Sequence, residues 1–448
     1  MTSLLKKLFA TTLTITLLVS CTTNPSTPNT ESSLPDPVVE ESPATALANN
    51  DQETIALDTE EKTSTDSIVP TENPVPNNTQ QPSISEDAQS ESLPTTPLST
   101  TANNCDQLET HIYCLSATLP TPPNTPHPWG ELFSYSPEIF CASDLSIELC
   151  SNVTSALLAA IIEWGNYGPV EYWVLGIDEA AGAQLIRTYC DRRDFRKQWN
   201  MDECIERESS PDQYGFNYYR RIGADAVESG QPSVEAARGG AKHWGFHLFT
   251  SSIPVGFTDY FDIPGWDEQK IIFHEYFHAV QMAHVSTADS LDGPRRDETE
   301  GPVWFVEGGA EYMALKATQK ALSSGVLDQV NTRGQNPDSI DQTLGREMFL
   351  WKMDDLSRKL STICPDVPIR DIGWECESAS YDIGTWAHAY LANKFGNDTL
   401  LKVFYPALDE LEWEDTFISL YDMTSDDFYT EFDQFLQLPI SEQLAILP

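Results

Sequence analysis

Apolar and polar positions divide the chain into three parts. A short apolar run extends from Leu8 to Val19, residues 21–104 contain no aromatic side chain, and aromatic and β-branched residues become frequent from Cys105 onward. Segments rich in Ser, Thr, Pro and acidic residues bury too little apolar surface to offset the entropy of ordering the chain. We therefore expect a disordered acidic tether over 21–104 and a folded region over 105–448.

The first half of the folded region mixes helical and strand patterns. Residues 153–164 are apolar and helical, 170–177 are strand-like, and 179–193 are helical again. Residues 242–252 are aromatic and β-branched with partial alternation, which is typical of a strand with one buried face. These patterns predict a mixed α/β subdomain over 105–265.

The spacing of apolar residues becomes helical after Pro264-Gly265. A mainly helical subdomain is therefore predicted over 266–448. Its predicted helices cover residues 266–285, 303–322, 346–360 and 381–395. The two subdomains together predict a fold of the α+β class.

The charge of the chain excludes several kinds of partner. It has 26 Lys and Arg residues against 69 Asp and Glu residues, a formal net charge of -43. Such a surplus of acid repels nucleic acid and anionic lipid headgroups. We expect neutral or cationic partners, or metal ions, and no nucleic acid.

The N-terminus has the pattern of an export signal. Lys6 and Lys7 precede the apolar run, which is too short to span a bilayer comfortably and ends in Leu18-Val19-Ser20-Cys21. This pattern resembles a bacterial lipoprotein signal, which implies removal of residues 1–20, lipidation of Cys21 and attachment to the membrane through that lipid only. Thr22, where the family has Asp for retention, implies the outer membrane or cell surface. An ordinary secretory signal with an incidental cysteine is the alternative.

Eight of the nine cysteines remain once Cys21 is set aside. In an oxidising compartment they predict a disulfide framework of four short loops, although the sequence cannot choose among the possible pairings. A cysteine zinc site is the alternative, but the chain has no Cys-x-x-Cys. The cysteines form four sequence-near pairs: Cys105 and Cys114, Cys141 and Cys150, Cys190 and Cys204, Cys364 and Cys376.

Residues 274–278 form an HExxH motif, HEYFH. His274 and His278 project from one helical face and can bind one zinc ion, while Glu275 can reach a metal-bound water. Zinc acidifies that water and polarises a carbonyl, so Glu275 is the expected general base. The flanking residues are mostly apolar, which predicts a buried helix whose polar groups need a partner. Two ordinary hydrogen-bonded core histidines are the alternative.

A second motif, WFVEGGAEY, follows at 304–312. With HExxH it resembles the gluzincin metallopeptidases, the thermolysin-like superfamily, in which a second helix carries a Glu-Gly ligand motif. The resemblance implies that His274, His278 and Glu307 bind zinc and that Glu311 hydrogen-bonds the outer ring nitrogen of a zinc-bound histidine. A solvated acidic face is the alternative for the two glutamates.

Tyr381-Asp382-Ile383-Gly384 resembles the Tyr-x-x-Gly segment of the aminopeptidase branch. There the tyrosine donates a hydrogen bond to the oxyanion of the tetrahedral intermediate, a role the resemblance implies for Tyr381. His388 is the substitute candidate for that role. A packing role is the alternative for both side chains.

Gluzincins also hold extended substrate along an edge strand that precedes the zinc helix. The resemblance implies such a strand, over the cleft, at residues 243–251. His243 and His247 lie on one face of it but too far apart for one ion, so we expect them to line the cleft. The acidic loop 289–300 matches no EF-hand, and a solvated loop is favoured over a calcium site.

The resemblance does not cover residues 105–260, and the chain has no Gly-Ala-Met-Glu-Asn segment of the kind that aminopeptidases use. The expected activity is therefore zinc-dependent endopeptidase hydrolysis of a protein or peptide outside the cell. A catalytically inactive surface adhesion or binding protein on a peptidase-like scaffold is the alternative. A zinc hydrolase acting on another bond is a further one, and the sequence does not indicate an oligomeric state.

Overall fold

The computed structural model describes only part of the chain. The predicted signal peptide, Cys21, His243 and most of the tether and of the acidic loop lie outside the described residues. The described residues are 38–39, 103–116, 130–211, 215–229, 235–241, 246–253, 259–260, 263–264, 266–285, 296–327, 343–365, 367–376 and 379–447.

Within these ranges the strands form one mixed sheet of seven strands and one small hairpin. The strands are β1 (Val38–Val39), β2 (Asn103–Gln107), β3 (His111–Ser116), β4 (Glu138–Ala142), β5 (Val170–Leu175), β6 (Glu235–Ala241), β7 (Phe246–Ser252), β8 (Asp259–Tyr260) and β9 (Ile263–Pro264). The order across the sheet is β1-β6-β7-β5-β4-β3-β2, with β4, β5 and β7 parallel and the other pairs antiparallel. Strands β8 and β9 form the hairpin.

The helices lie between the strands in the first half and dominate after β9. The helices are α1 (Ile147–Trp164), α2 (Glu179–Phe195), α3 (Met201–Ser209), α4 (Phe216–Ser229), α5 (Trp266–Ala283), α6 (Arg296–Glu300), α7 (Val303–Ser323), α8 (Thr343–Thr362), α9 (Ala379–Phe395), α10 (Tyr405–Tyr421), α11 (Ser425–Leu436) and α12 (Ile440–Gln443). The described part is therefore a mixed sheet with a mostly helical remainder, in agreement with the predicted α+β class.

Both faces of the sheet are covered, as the wholly buried strand β5 shows. Its Tyr172 and Val174 join the large core that includes α1 and α5, whereas Trp173 and Leu175 join a smaller core with α2 and α4. Side chains on a strand alternate between faces, so a strand between two helical layers is apolar on both. Helix α1 has the length and apolarity of a membrane span, but it packs between the sheet and α5 as a core helix.

The predicted short-loop disulfide framework is confirmed. Each bond joins the cysteines that are near each other in sequence, and together they fix the β2–β3 hairpin, the β4–α1 turn, the α2–α3 turn and the segment between α8 and α9. The bonds are Cys105–Cys114, Cys141–Cys150, Cys190–Cys204 and Cys364–Cys376.

The expected edge strand at 243–251 is wrong. Strand β7 lies inside the sheet, between β5 and β6, and its His247 is buried at 2% exposure. The physical reason is the composition of β6, EAARGGA, whose small residues give no alternating apolar signal although its backbone pairs along the whole length of β7. Strand β1 pairs with the other side of β6.

Candidate metal centre

Two histidines of α5 and one glutamate of α7 bring their side-chain tips together. His274 Nε2 and His278 Nε2 lie 3.2 Å apart. Glu307 Oε2 lies 3.3 Å from the first nitrogen and 3.2 Å from the second. All three side chains are buried, which excludes the solvated-face alternative for Glu307. Among the described residues, this trio is the group whose donor atoms are close enough to share a metal ion.

Each histidine ring is held from behind by a different acceptor. Glu311 Oε2 lies 3.0 Å from His274 Nδ1, and Gln281 Oε1 lies 2.7 Å from His278 Nδ1. The Gln281 amide nitrogen donates to a backbone carbonyl of α7 at 2.9 Å and to the Tyr405 hydroxyl at 3.0 Å, which fixes its oxygen toward the ring. An acceptor on Nδ1 makes that nitrogen the protonated one and leaves the Nε2 lone pair for a metal.

The electrostatics of this cluster favour positive charge at its centre. Burial alone would raise the pKa of Glu307, but His278 and His274 hold it well below its ordinary value. Burial alone would lower the pKa of His274, but hydrogen bonds to Glu307 and Glu311 raise it to about 9. Burial would likewise lower the pKa of His278, but the charge of Glu307 and its hydrogen bond raise it. Without a metal, the cluster therefore retains a proton that a divalent cation would displace.

The donor geometry fits zinc. Zinc binds nitrogen and oxygen ligands at about 2.0–2.1 Å in tetrahedral sites, which places neighbouring ligand atoms about 3.3 Å apart. The three separations between Nε2 of His274, Nε2 of His278 and Oε2 of Glu307 are 3.2, 3.3 and 3.2 Å. Glu307 Oε1 is also buried and, within the described ranges, has no hydrogen-bond partner. A set of two histidines and one glutamate leaves the fourth position for water, as in catalytic zinc sites.

Close packing of glycines positions the second and third motifs. A Cβ atom on Gly308 would overlap the backbone of Gly384, and one on Gly384 would overlap the Trp304 carbonyl oxygen. Helices α7 and α9 therefore approach each other at their glycines, which is the physical use of the Gly in both EGG and Tyr-x-x-Gly. This approach places the Tyr381 ring against His274, with ring centroids 5.7 Å apart and planes 22° apart.

The other predicted catalytic residue, Glu275, is fully buried on α5. The charge of Glu275 contributes to raising the pKa of both His274 and His278. Its charge also contributes to the raised pKa of Tyr172 of β5.

His388, the substitute for Tyr381, is a packing residue. Its Nε2 donates to the Phe305 carbonyl oxygen at 2.8 Å, and its ring packs against Phe305 and Trp304. Burial lowers the pKa of His388 to about 4. His284, which the sequence left unassigned, stacks on Tyr405. Both histidines take the ordinary role of buried or half-buried rings.

Sequence reasoning missed three residues of the site: Gln281, Lys270 and Lys352. Gln281 follows His278 by three positions and so faces the same side of α5, a signal that helical spacing could have given. Lys270 precedes His274 by one turn of α5, so helical spacing is a second available signal. Lys352 comes from α8, and nothing in the sequence near it indicates the contact.

No protein-family model, curated protein or solved structure matches this chain. The assignment of the site therefore depends on the identity, spacing and surroundings of its own side chains.

Proposed function

We propose that this chain is a zinc-dependent peptidase of gluzincin type. In this proposal His274, His278 and Glu307 bind the zinc ion, and Glu275 acts beside them. The observation that supports the proposal most strongly is the near-equal spacing of three buried donor atoms, 3.2–3.3 Å. The lone pairs of the two imidazoles and the carboxylate of Glu307 face one another and would repel one another in a buried site. A divalent cation between them removes that repulsion. The separate acceptor on each ring supports the same interpretation.

Bound zinc would supply a polarised scissile carbonyl and an acidified water. In this proposal, Glu275 accepts a proton from the attacking water and passes it to the leaving amine. Its burial keeps the carboxylate away from bulk water. Its place directly after His274 on the buried helix α5 supports a position next to the ligands.

Tyr381 is the proposed oxyanion donor. Its ring lies against the ring of His274. A phenol held beside a metal ligand can donate a hydrogen bond to the oxygen that becomes negative in the transition state. The packing of α7 on α9 at Gly308 and Gly384 keeps the tyrosine in this place.

The proposed substrate is a protein or peptide outside the cell, cleaved internally. Support comes from the N-terminal pattern that ends in Cys21 and from the four disulfides of the folded part. We propose that the lipid on Cys21 attaches the protein to the bacterial envelope and that the acidic tether extends the peptidase away from it.

The test compares the full-length protein with two variants, Glu275→Gln and Glu179→Gln. Glu179 is an exposed residue of α2 and serves as the matched control. Each protein is measured for zinc content and for cleavage of unfolded casein, with and without a chelator. We expect one zinc per chain in all three, chelator-sensitive cleavage by the wild type and the control, and a loss of at least about 100-fold in Glu275→Gln.

Other outcomes separate the rival functions. Zinc without cleavage of any peptide favours an inactive surface adhesion or binding protein. Cleavage of esters or non-peptide amides alone favours a different zinc hydrolase. Retained turnover in Glu275→Gln contradicts the mechanism, and a wild type that binds no zinc contradicts the site.

A further inference from the structure

A second set of buried charges lies directly behind His274 and joins four helices. It contains the ammonium groups of Lys270, Lys352 and Lys359 and the carboxylates of Glu311 and Asp382, contributed by α5, α7, α8 and α9. All five side chains are buried. Buried charges are costly to remove from water unless each is paired, so such a set is retained only where its geometry is complete.

Glu311 is the point at which this set meets the metal centre. Its Oε1 accepts from Lys270 Nζ at 2.8 Å and pairs with Lys352 Nζ at 2.7 Å, and its Oε2 accepts from Lys270 Nζ at 3.1 Å. Its Oε2 lies 3.0 Å from His274 Nδ1. Lys270 contacts both oxygens of the carboxylate, whereas the ion pair of Lys352 is made with Oε1, so Lys352 holds that oxygen away from the ring and directs Oε2 at the imidazole.

Lys352 has a second partner that fixes its own position. Its Nζ lies 3.0 Å from Asp382 Oδ1 on α9, in addition to its pair with Glu311 on α7. Burial alone would lower the pKa of Lys352, but Asp382 and Glu311 raise it, so the group carries its charge. A side chain held by carboxylates on two different helices cannot move without disturbing both.

We propose that Lys352 is a positioning residue for the metal centre, which acts through Glu311 to orient His274. This inference rests on the proposed zinc site. The outer acceptor of a metal-bound histidine sets the orientation and basicity of the ring, and loss of such a partner costs about 10- to 100-fold in metal affinity. Lys352 supplies the charge that keeps this acceptor in place.

The chain offers a matched control on the same helix. Lys359 lies two turns from Lys352, is equally buried, and pairs with Asp382 at 2.8 Å and Asp355 at 2.6 Å. Both Lys352→Met and Lys359→Met remove a buried ammonium group from Asp382, so both lower stability. Lys352→Met alone also removes a partner of Glu311.

The experiment measures the zinc dissociation constant and the visible absorption spectrum of the Co²⁺-loaded full-length proteins. We expect Lys352→Met to weaken zinc binding about 10- to 100-fold and to shift the Co²⁺ spectrum, because the His274 ring is no longer fixed. Lys359→Met should bind zinc within about twofold of the wild type with an unchanged spectrum. Equal effects of the two variants, or no effect of either, would overturn the proposal.

A double variant keeps the test valid if Lys352→Met does not fold. Lys352→Met with Glu311→Gln removes one positive and one negative charge together, so the buried set keeps its charge balance and the cost of the single change is reduced. If Lys352 acts through Glu311, the double variant binds zinc as the single Glu311→Gln does. A further loss of affinity in the double variant contradicts the pathway. A wild type that binds neither Zn²⁺ nor Co²⁺ instead contradicts the proposed function itself.

Discussion

Two of the buried glutamates, Glu171 and Glu307, have surroundings that differ in kind. Glu171 of β5 is surrounded by Arg192 at 2.8 Å, Arg196 at 2.6 Å and the fully buried Arg193. Glu307 of α7 is approached by two imidazoles. In both cases burial would raise the pKa of the carboxyl group, and the neighbours hold it well below its ordinary value.

The difference shows that a lowered carboxyl pKa does not by itself identify a functional site. Guanidinium groups carry a permanent charge, so the cluster around Glu171 is complete without any added ion. An imidazole can be neutral and present a lone pair, so the cluster around Glu307 is completed by a proton or by a metal. The chemical nature of the partner distinguishes a structural ion cluster from a candidate metal centre.

Matched substitutions at the two glutamates test this comparison with the largest expected effects. Glu307→Gln removes a proposed zinc ligand and should weaken zinc binding by more than about 100-fold, beyond the loss expected for an outer partner. Glu171→Gln leaves Arg193 buried without its carboxylate and should lower the free energy of unfolding by about 3–5 kcal/mol. Zinc titration and denaturant unfolding of both variants measure the two effects.

The comparison predicts opposite effects of Glu171→Gln and Glu307→Gln on zinc affinity. Glu171→Gln, where it is folded, should bind zinc as the wild type does, because the cluster around Glu171 does not include the metal ligands. Wild-type zinc affinity in Glu307→Gln would contradict the proposed ligand set. A loss of zinc in folded Glu171→Gln would show that the two clusters are coupled, which the contacts do not predict.

The helices were largely predictable from the sequence because their apolar spacing is regular. The predicted 266–285 and 303–322 correspond to α5 and α7 within two residues. Helical spacing also placed His274 and His278 together, since that contact lies within one helix. Contacts between helices are harder to predict from the sequence. Only the family resemblance predicts that Glu307 of α7 meets the two histidines of α5.

What could not be predicted depends on contacts between distant segments. Strand β6 was missed because its small residues show no alternation, and this shifted the expected edge of the sheet to β7. Lys352 is part of the site only because α8 packs beside α9. An ion pair between distant segments leaves no periodic signal in the sequence. Neither the residues next to Lys352 nor its residue type therefore indicates its partner.

Gln281 provides a test of intermediate size. Gln281→Leu removes the acceptor from His278 Nδ1 and should weaken zinc binding about 10- to 100-fold. Tyr405→Phe is the matched control, because it removes only the hydroxyl that accepts from the Gln281 amide nitrogen and leaves the acceptor oxygen in place. Zinc titration measures both. Wild-type affinity in Gln281→Leu would contradict the role of this acceptor, and an equal loss in the two variants would mean that the Tyr405 hydroxyl is needed to hold the Gln281 oxygen on the ring.

The smallest effect on the metal centre is expected at His388, which also carries a pH dependence. His388→Leu removes the donor to the Phe305 carbonyl and should lower stability by about 1–3 kcal/mol, with zinc affinity and turnover within about twofold of the wild type.

Burial lowers the pKa of His388 to about 4, whereas the unfolded chain binds this proton near its ordinary value of 6.5. Wild-type stability from this group is therefore present above about pH 6.5 and is lost as the pH falls toward 4, by up to about 1.4 kcal/mol per pH unit. Denaturant unfolding between pH 7 and 4 should show a shallower acid slope in His388→Leu. An identical slope in both proteins would mean that His388 takes up its proton in the folded state, and a large loss of turnover would return it to the list of catalytic candidates.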